Sequence, residues 1–144
     1  MTLTDTIRTI ETIAGNIPSV SSIVRNDIFR LNSLPNAKYA VFGWTQGQHT
    51  ASVESSLITF NFTFFYIDRL TADKRNELEI QSVGIQVLDN IIRSLEMQTV
   101  YADNQYTFTT FNQRFVDECA GVFTNVALTV PVTDLCEENY ADFN

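Results

Sequence analysis

Apolar positions along this chain recur first with the period of a helix and then with the period of a strand. Leu3, Ile7, Ile10, Ala14 and Ile17 stand three or four residues apart with Thr and charged residues between them, which predicts an amphipathic helix. Gly15 and Pro18 end it. Between Ser19 and Asn36 the pattern weakens. Val20, Ile23, Ile28 and Leu31 fit a short helix or a brief strand around an Asn26-Asp27 turn, and the strand is preferred. After Pro35-Asn36, the stretch Lys38 to Thr45 is aromatic and β-branched and predicts a strand with Phe42 and Trp44 on one face.

Val53 to Asp68 holds a period of two throughout. Ile58, Phe60, Phe62, Phe64 and Tyr66 share one face; Leu57, Thr59, Asn61, Thr63, Phe65 and Ile67 share the other. This predicts a long strand paired with Lys38 to Thr45 in an antiparallel hairpin, with Gln46-Gly47-Gln48-His49-Thr50 as its polar tip. Fifteen such residues reach roughly 50 Å, against a diameter of about 40 Å for a globule of this length. A hairpin that outruns its domain exposes two edges, which a neighbouring subunit usually covers; a bend near Ser55-Ser56 would instead keep it inside one domain.

From Thr71 to Leu95 the period becomes helical. Leu78, Ile80, Val83, Val87, Leu88, Ile91, Ile92 and Leu95 form one wide stripe, with Thr71, Asp73 or Asn76 as candidate caps. A helix over Asn76 to Glu96 is about 32 Å long. Gly84 within it points to the close approach of another backbone. Two further strands follow, one over Tyr106 to Phe111 and one in which Val122, Val126, Leu128, Val130 and Val132 share a face. The order predicts one α+β domain over residues 1–136, a mostly antiparallel sheet packed against a main helix and an N-terminal helix. Residues 137–144 form an acidic tail, in which Glu137, Glu138, Tyr140 and Phe143 are candidates for docking on a neighbour.

Composition narrows the function classes. The chain has 144 residues and a formal charge of −8, which argues against free nucleic acid or an anionic membrane as the binding partner. Residues 1 to 72 hold five acids and five bases; residues 73 to 144 hold twelve acids and four bases, so the whole excess lies in the second half. No segment reads as a secretion signal or a spanning helix, so the protein is expected to stay in the compartment where it is made. Cys119 and Cys136 are expected to be reduced and structural, with neither zinc-ligand spacing nor a disulfide framework.

Catalytic motifs are equally sparse. His49 is the only imidazole and falls in the polar connection, where an exposed turn residue is the ordinary reading. The glycines form no phosphate-binding loop. Asp117-Glu118 and Glu137-Glu138 are adjacent acids that point apart or lie in a tail, and the Phe60, Phe62, Phe64, Tyr66 series lacks the interleaved bases that base stacking requires. No cofactor, metal or enzymatic activity is expected.

Three strings of residues carry a resemblance. Tyr66-Ile67-Asp68-Arg69-Leu70 closes the long strand. Asn76 and Glu79-Ile80-Gln81-Ser82 open the main helix, and Phe115-Val116-Asp117-Glu118-Cys119-Ala120-Gly121-Val122 leads into the last strand. In these, and in the order of its elements, the chain resembles the tail-terminator and head-tail connector proteins of tailed bacteriophages, and is similar to the ring proteins of crAss-like phages. The resemblance implies a tail-terminator-like fold and a non-enzymatic virion protein, made in the host cytoplasm and built into the head-tail junction or tail. It further implies a homo-oligomeric ring of six or twelve subunits that contacts portal, connector or tail proteins while DNA passes through the lumen without sequence-specific binding. An acidic wall would repel the passing phosphates within a screening length of about 8 Å. By position, Gln46, Gly47, Gln48, His49 and Thr50, with Leu57, Thr59, Thr63 and Phe65, would then be subunit-interface or lumen residues. The competing reading is a small intracellular α+β domain that binds a ligand in a cavity beneath the main helix, or an adaptor that binds a peptide along a strand edge.

Overall fold

The computed structural model describes residues 1–25, 38–98, 100–114 and 118–132. Among these residues, two helices, α1 (Leu3–Gly15) and α2 (Glu77–Glu96), pack on one face of a mostly antiparallel sheet of seven strands: β1 (Ser22–Arg25), β2 (Val41–Gln46), β3 (Thr50–Ser52), β4 (Leu57–Arg69), β5 (Tyr101–Ala102), β6 (Phe108–Arg114) and β7 (Glu118–Pro131). The fold is α+β. The strand path runs β1-β2-β4-β7-β5, with β3 also on β4 and β6 also on β7; among the described residues only β1 and β2 run parallel.

The spine is the β4–β7 ladder, thirteen consecutive antiparallel pairs from Leu57 opposite Pro131 to Arg69 opposite Cys119. The period-two pattern of β4 explains it. Phe60, Phe62, Phe64 and Tyr66 are buried towards the helices, and the opposite positions of β7 supply Val122, Val126, Leu128 and Val130 to the same core. Phe42 and Trp44 join them from β2, edge-on to Phe64 and Phe62 at 5.6 and 6.0 Å. Each such aromatic ring contributes about 1.5–3 kcal/mol by leaving water.

β4 is not one arm of a projecting hairpin. β2 and then β3 line one of its edges and β7 lines the other along its full length. The expected tip at Gln46 to Thr50 is also corrected. The first strand breaks at residues 47–49 and resumes as β3, so the reversal falls at residues 53–56. Ser56 takes a left-handed conformation there, with φ 54°. The short strands β3 and β5 lay below the length at which a sequence period is visible.

In α2, Ile80, Val87, Leu88, Ile91, Ile92 and Leu95 are buried against the sheet, Glu77 and Glu79 stand in the first turn and Arg93 in the last, as the helix dipole favours. Asn76 is the cap residue, but its amide serves the preceding loop, where its Oδ1 accepts the Thr71 N–H at 2.9 Å and its Nδ2 donates to the Arg69 carbonyl at 3.1 Å. Gly84 lies where the helix crosses the spine. A Cβ there would fall 2.4 Å from Val122 Cγ1 and 2.9 Å from Tyr66 Cδ1.

α1 opens with a capping box between Thr2 and Asp5, with bonds of 3.1 Å in each direction. It is tied to the sheet through Glu11, whose Oε2 takes the Arg25 guanidinium from β1 and the Trp44 indole N–H from β2 at 3.1 Å. Thr124 is buried beneath the helices, and among the described residues its Oγ1 has no hydrogen-bond partner. The expected strand between Ser19 and Asn36 is present as β1; the Asn26-Asp27 turn, Ile28 and Leu31 lie outside the described residues. Val132 falls just past the end of β7 and is exposed, so it does not share the buried face expected for it.

Candidate functional site: the open face and the hairpin end

The face of the sheet turned away from the helices has two halves. Towards the Arg69 end of β4, Val24, Val41, Phe65, Ile67 and Cys119 form a second apolar cluster flanked by Tyr39, Phe111 and Phe123. Phe65 lies directly across from Gly43, and a Cβ on that glycine would come within 2.0 Å of the phenyl ring, so the missing side chain is what seats Phe65. Phe65 is therefore 1% exposed. It belongs to this chain's own packing, which corrects its expected place among the interface positions.

Towards the Leu57 end, the same face is made of hydroxyls and amides. Thr59 Oγ1 meets Thr129 Oγ1 across the ladder at 3.0 Å, and Thr63 Oγ1 donates to Asn125 Oδ1 at 2.6 Å. Asn61 Nδ2 donates to the Gln48 carbonyl at 2.5 Å. Gly47, Asn61, Thr63, Asp103, Asn125 and Ala127 line an open depression of about 260 Å³. The expected positions Thr59 and Thr63 thus come together with Asn61, Asn125 and Thr129. Asn125 and Thr129 stand between the apolar positions of β7, and register alone pairs them with Thr63 and Thr59.

His49 lies at the edge of this half. In the break between β2 and β3 its Nδ1 accepts the Asn61 N–H at 3.1 Å, its Nε2 faces Gln46 Oε1 at 3.0 Å, and its ring stands edge-on to Phe60 at 5.2 Å. It is half-buried and engaged at both nitrogens, not the exposed turn residue that was expected. Gly47 N–H donates to the Asn61 carbonyl at 2.8 Å, while Gln46, Gln48 and Thr50 remain exposed.

Beyond the polar half is the true hairpin end. Val53 in the turn is 98% exposed, and Leu57 and Val132 beside it are also exposed. The Val132 N–H donates to the Ser56 carbonyl at 3.1 Å, which brings the end of β7 against the turn. The tail candidates Glu137, Glu138, Tyr140 and Phe143, with Cys136, lie outside the described residues.

Two depressions hold ionisable groups. Asp89, Arg93 and Tyr106 line an open hollow of about 510 Å³ at the C-terminal part of α2. The Tyr106 hydroxyl donates to Asp89 Oδ1 at 2.5 Å and Arg93 Nε donates to Asp89 Oδ2 at 2.8 Å. Burial, and then the bond to Asp89, push the Tyr106 hydroxyl up to about 12. Burial works against the charged form of Asp89, but the two hydrogen bonds outweigh it and hold the carboxyl below its ordinary value. At the other end of the helix, Tyr66, Asp68, Asn76 and Glu79 line a hollow of about 210 Å³, and burial raises Asp68. Among the described residues, no three His, Cys, Asp or Glu side chains come together as metal ligands, and no helix is long and apolar enough to cross a membrane.

No protein-family profile matches this chain, and no curated protein sequence is significantly similar to it.

Proposed function

We propose that this chain is a structural subunit of a bacteriophage virion that closes into a ring at the head-tail junction, around the channel through which DNA passes. The observation that carries the reading is the hairpin end, where Val53, Leu57 and Val132 expose apolar side chains in and beside one turn. Apolar groups gathered at the end of a stiff ladder suit insertion into a neighbouring subunit, and a head-to-tail contact that repeats by a fixed rotation closes a ring. The excess of acids after residue 72 supports the same reading, since carboxylates facing a lumen keep the duplex from adhering. The burial of Phe62, Phe64 and Tyr66 beneath α2 favours a packed core over a ligand cavity at that place.

The test is light scattering coupled to size exclusion, with negative-stain images of the same peak and a search for the protein in purified particles. Rings of six or twelve subunits, dispersed by Val53→Asp with the fold retained, support the proposal. A strictly monomeric protein that is absent from virions overturns it.

A further inference from the structure

The hollow of about 210 Å³ opens where α2 begins, over the Arg69 end of β4, and its polar groups are unused. Tyr66 is 3% exposed, and among the described residues its hydroxyl has no hydrogen-bond partner. Unlike the Thr124 hydroxyl it is not sealed in, and the hollow is the opening it reaches. Asp68 Oδ1 accepts the Arg69 N–H at 2.7 Å, while Asp68 Oδ2 and both carboxylate oxygens of Glu79 have no bond among those residues. A buried hydroxyl left without a partner costs stability unless a group from outside the chain meets it.

The neighbouring bases are turned elsewhere. Arg69 lies over the Tyr39 ring at 5.0 Å, beside the apolar cluster on the other face of the sheet. Lys74 pairs with Glu118 at 3.5 Å and Arg75 with Asp73 at 3.1 Å. The N-terminus of α2 contributes about half a positive charge, which two carboxylates exceed, so the hollow stays negative.

We propose that this hollow receives an organic cation from outside the chain, an ammonium or guanidinium head on a short alkyl stem. The head sits between Asp68 and Glu79 and donates one N–H to the Tyr66 hydroxyl, which can accept as well as donate. The stem lies on Ile80 and Val83, the apolar part of the lining. Asn76, held by Thr71 and the Arg69 carbonyl, fixes one wall in advance. At about 30 Å³ per water the hollow holds about seven, which is room for a propyl chain and its cationic head. Two carboxylates exclude an anion, and a hard dication takes six to eight oxygens, which a lining with Ile80 and Val83 in it does not supply. Burial raises the Asp68 carboxyl, and a cation beside it favours its charged form. The site lies at the opposite end of β4 from the hairpin turn and stands whether or not the ring reading does.

NMR titration of the full chain, labelled with nitrogen-15, with n-propylguanidinium chloride tests the proposal, with sodium chloride at equal ionic strength as the reference. Saturable shifts at Asp68, Glu79 and Ile80 are expected with a midpoint in the millimolar range, weakened by added salt. Asp68→Asn and Glu79→Gln should each weaken binding by about threefold. Tyr66→Phe should weaken it by about fivefold while circular dichroism and the urea midpoint show no loss of fold, since that hydroxyl has no partner to lose. A blocked arginine, N-acetyl-arginine methylamide, separates the two sources of such a head. Tighter binding than propylguanidinium assigns the site to a basic side chain of a partner protein, weaker binding to a free small cation, and either supports the proposal. No saturable shift at these residues overturns it, as does equal binding of n-propanol, tighter binding of calcium chloride there, or binding unchanged in the folded Asp68→Asn, Glu79→Gln double variant.

Discussion

His49 Nδ1 stands in for a strand: it accepts the Asn61 backbone N–H at 3.1 Å across the three-residue break between β2 and β3. Because Nδ1 accepts, the neutral ring carries its proton on Nε2, facing Gln46 Oε1. His49→Ala leaves a half-buried amide without its acceptor and should cost about 1–3 kcal/mol. Urea denaturation measures the loss, and hydrogen exchange should show the Asn61 amide losing protection. An Asn61 amide that exchanges equally slowly in His49→Ala would contradict this role.

The tight crossing of α2 over the spine makes Gly84 a second test. Gly84→Ala gains about 1 kcal/mol of helix propensity, but its Cβ falls 2.4 Å from Val122 Cγ1, on a buried β-branched side chain with little room to move. Overpacking of this kind costs about 1–3 kcal/mol, so a net loss is expected. Adding Val122→Ala should cost less in the Gly84→Ala background than in the wild type, and a double-mutant cycle reads the difference.

Thr124 offers the opposite sign. Its buried hydroxyl has no partner among the described residues, so Thr124→Val, which keeps the shape and removes the orphan, should raise stability by about 1 kcal/mol. A lower midpoint in urea would show that the hydroxyl is hydrogen-bonded in solution.

Glu11 joins three elements through one carboxylate. Glu11→Ala releases Arg25 and leaves the Trp44 indole N–H without its acceptor, at a cost of about 1–3 kcal/mol. Trp44 is the only tryptophan, so its emission reports the site directly and should shift if α1 loosens from β1 and β2. Unchanged emission and stability would place the anchoring of α1 elsewhere.

The Asp89–Tyr106 pair predicts a pH window with two limits. Asp89 is held below its ordinary value of 3.8, so its contribution to stability is present above that pH and is lost as the pH falls through its lowered value. Tyr106 is raised from 10.0 to about 12, so its contribution is present below pH 10.0 and is lost as the pH rises through about 12. The stability difference between the wild type and Tyr106→Phe should therefore be flat between these limits and narrow beyond both. Thermal unfolding across the range measures it; a difference that stays constant at both extremes removes the pair from the stability of the fold.

The two helices, β4 and β7 were legible because their patterns report burial directly. Ile80 to Leu95 can bury one side only as a helix, and Phe60 to Tyr66 only as a strand, so period and fold class followed from residue order alone. Gly84 was legible as a point of close approach, a glycine where a helix would prefer alanine, but what approaches it is the Val122 and Tyr66 side chains and not the expected backbone. Other features depend on groups distant in sequence. The break at residues 47–49 is bridged by an imidazole whose partner lies twelve residues further on, and nothing local separates that from an ordinary turn. Phe65 and Thr63 share one strand face, yet Gly43 buries the first and Asn125 holds the second at the surface. Which positions of an alternating strand end in core and which in an open face is set by the neighbouring strands, because each side chain packs against residues brought beside it by register, and register exists only once the sheet has formed.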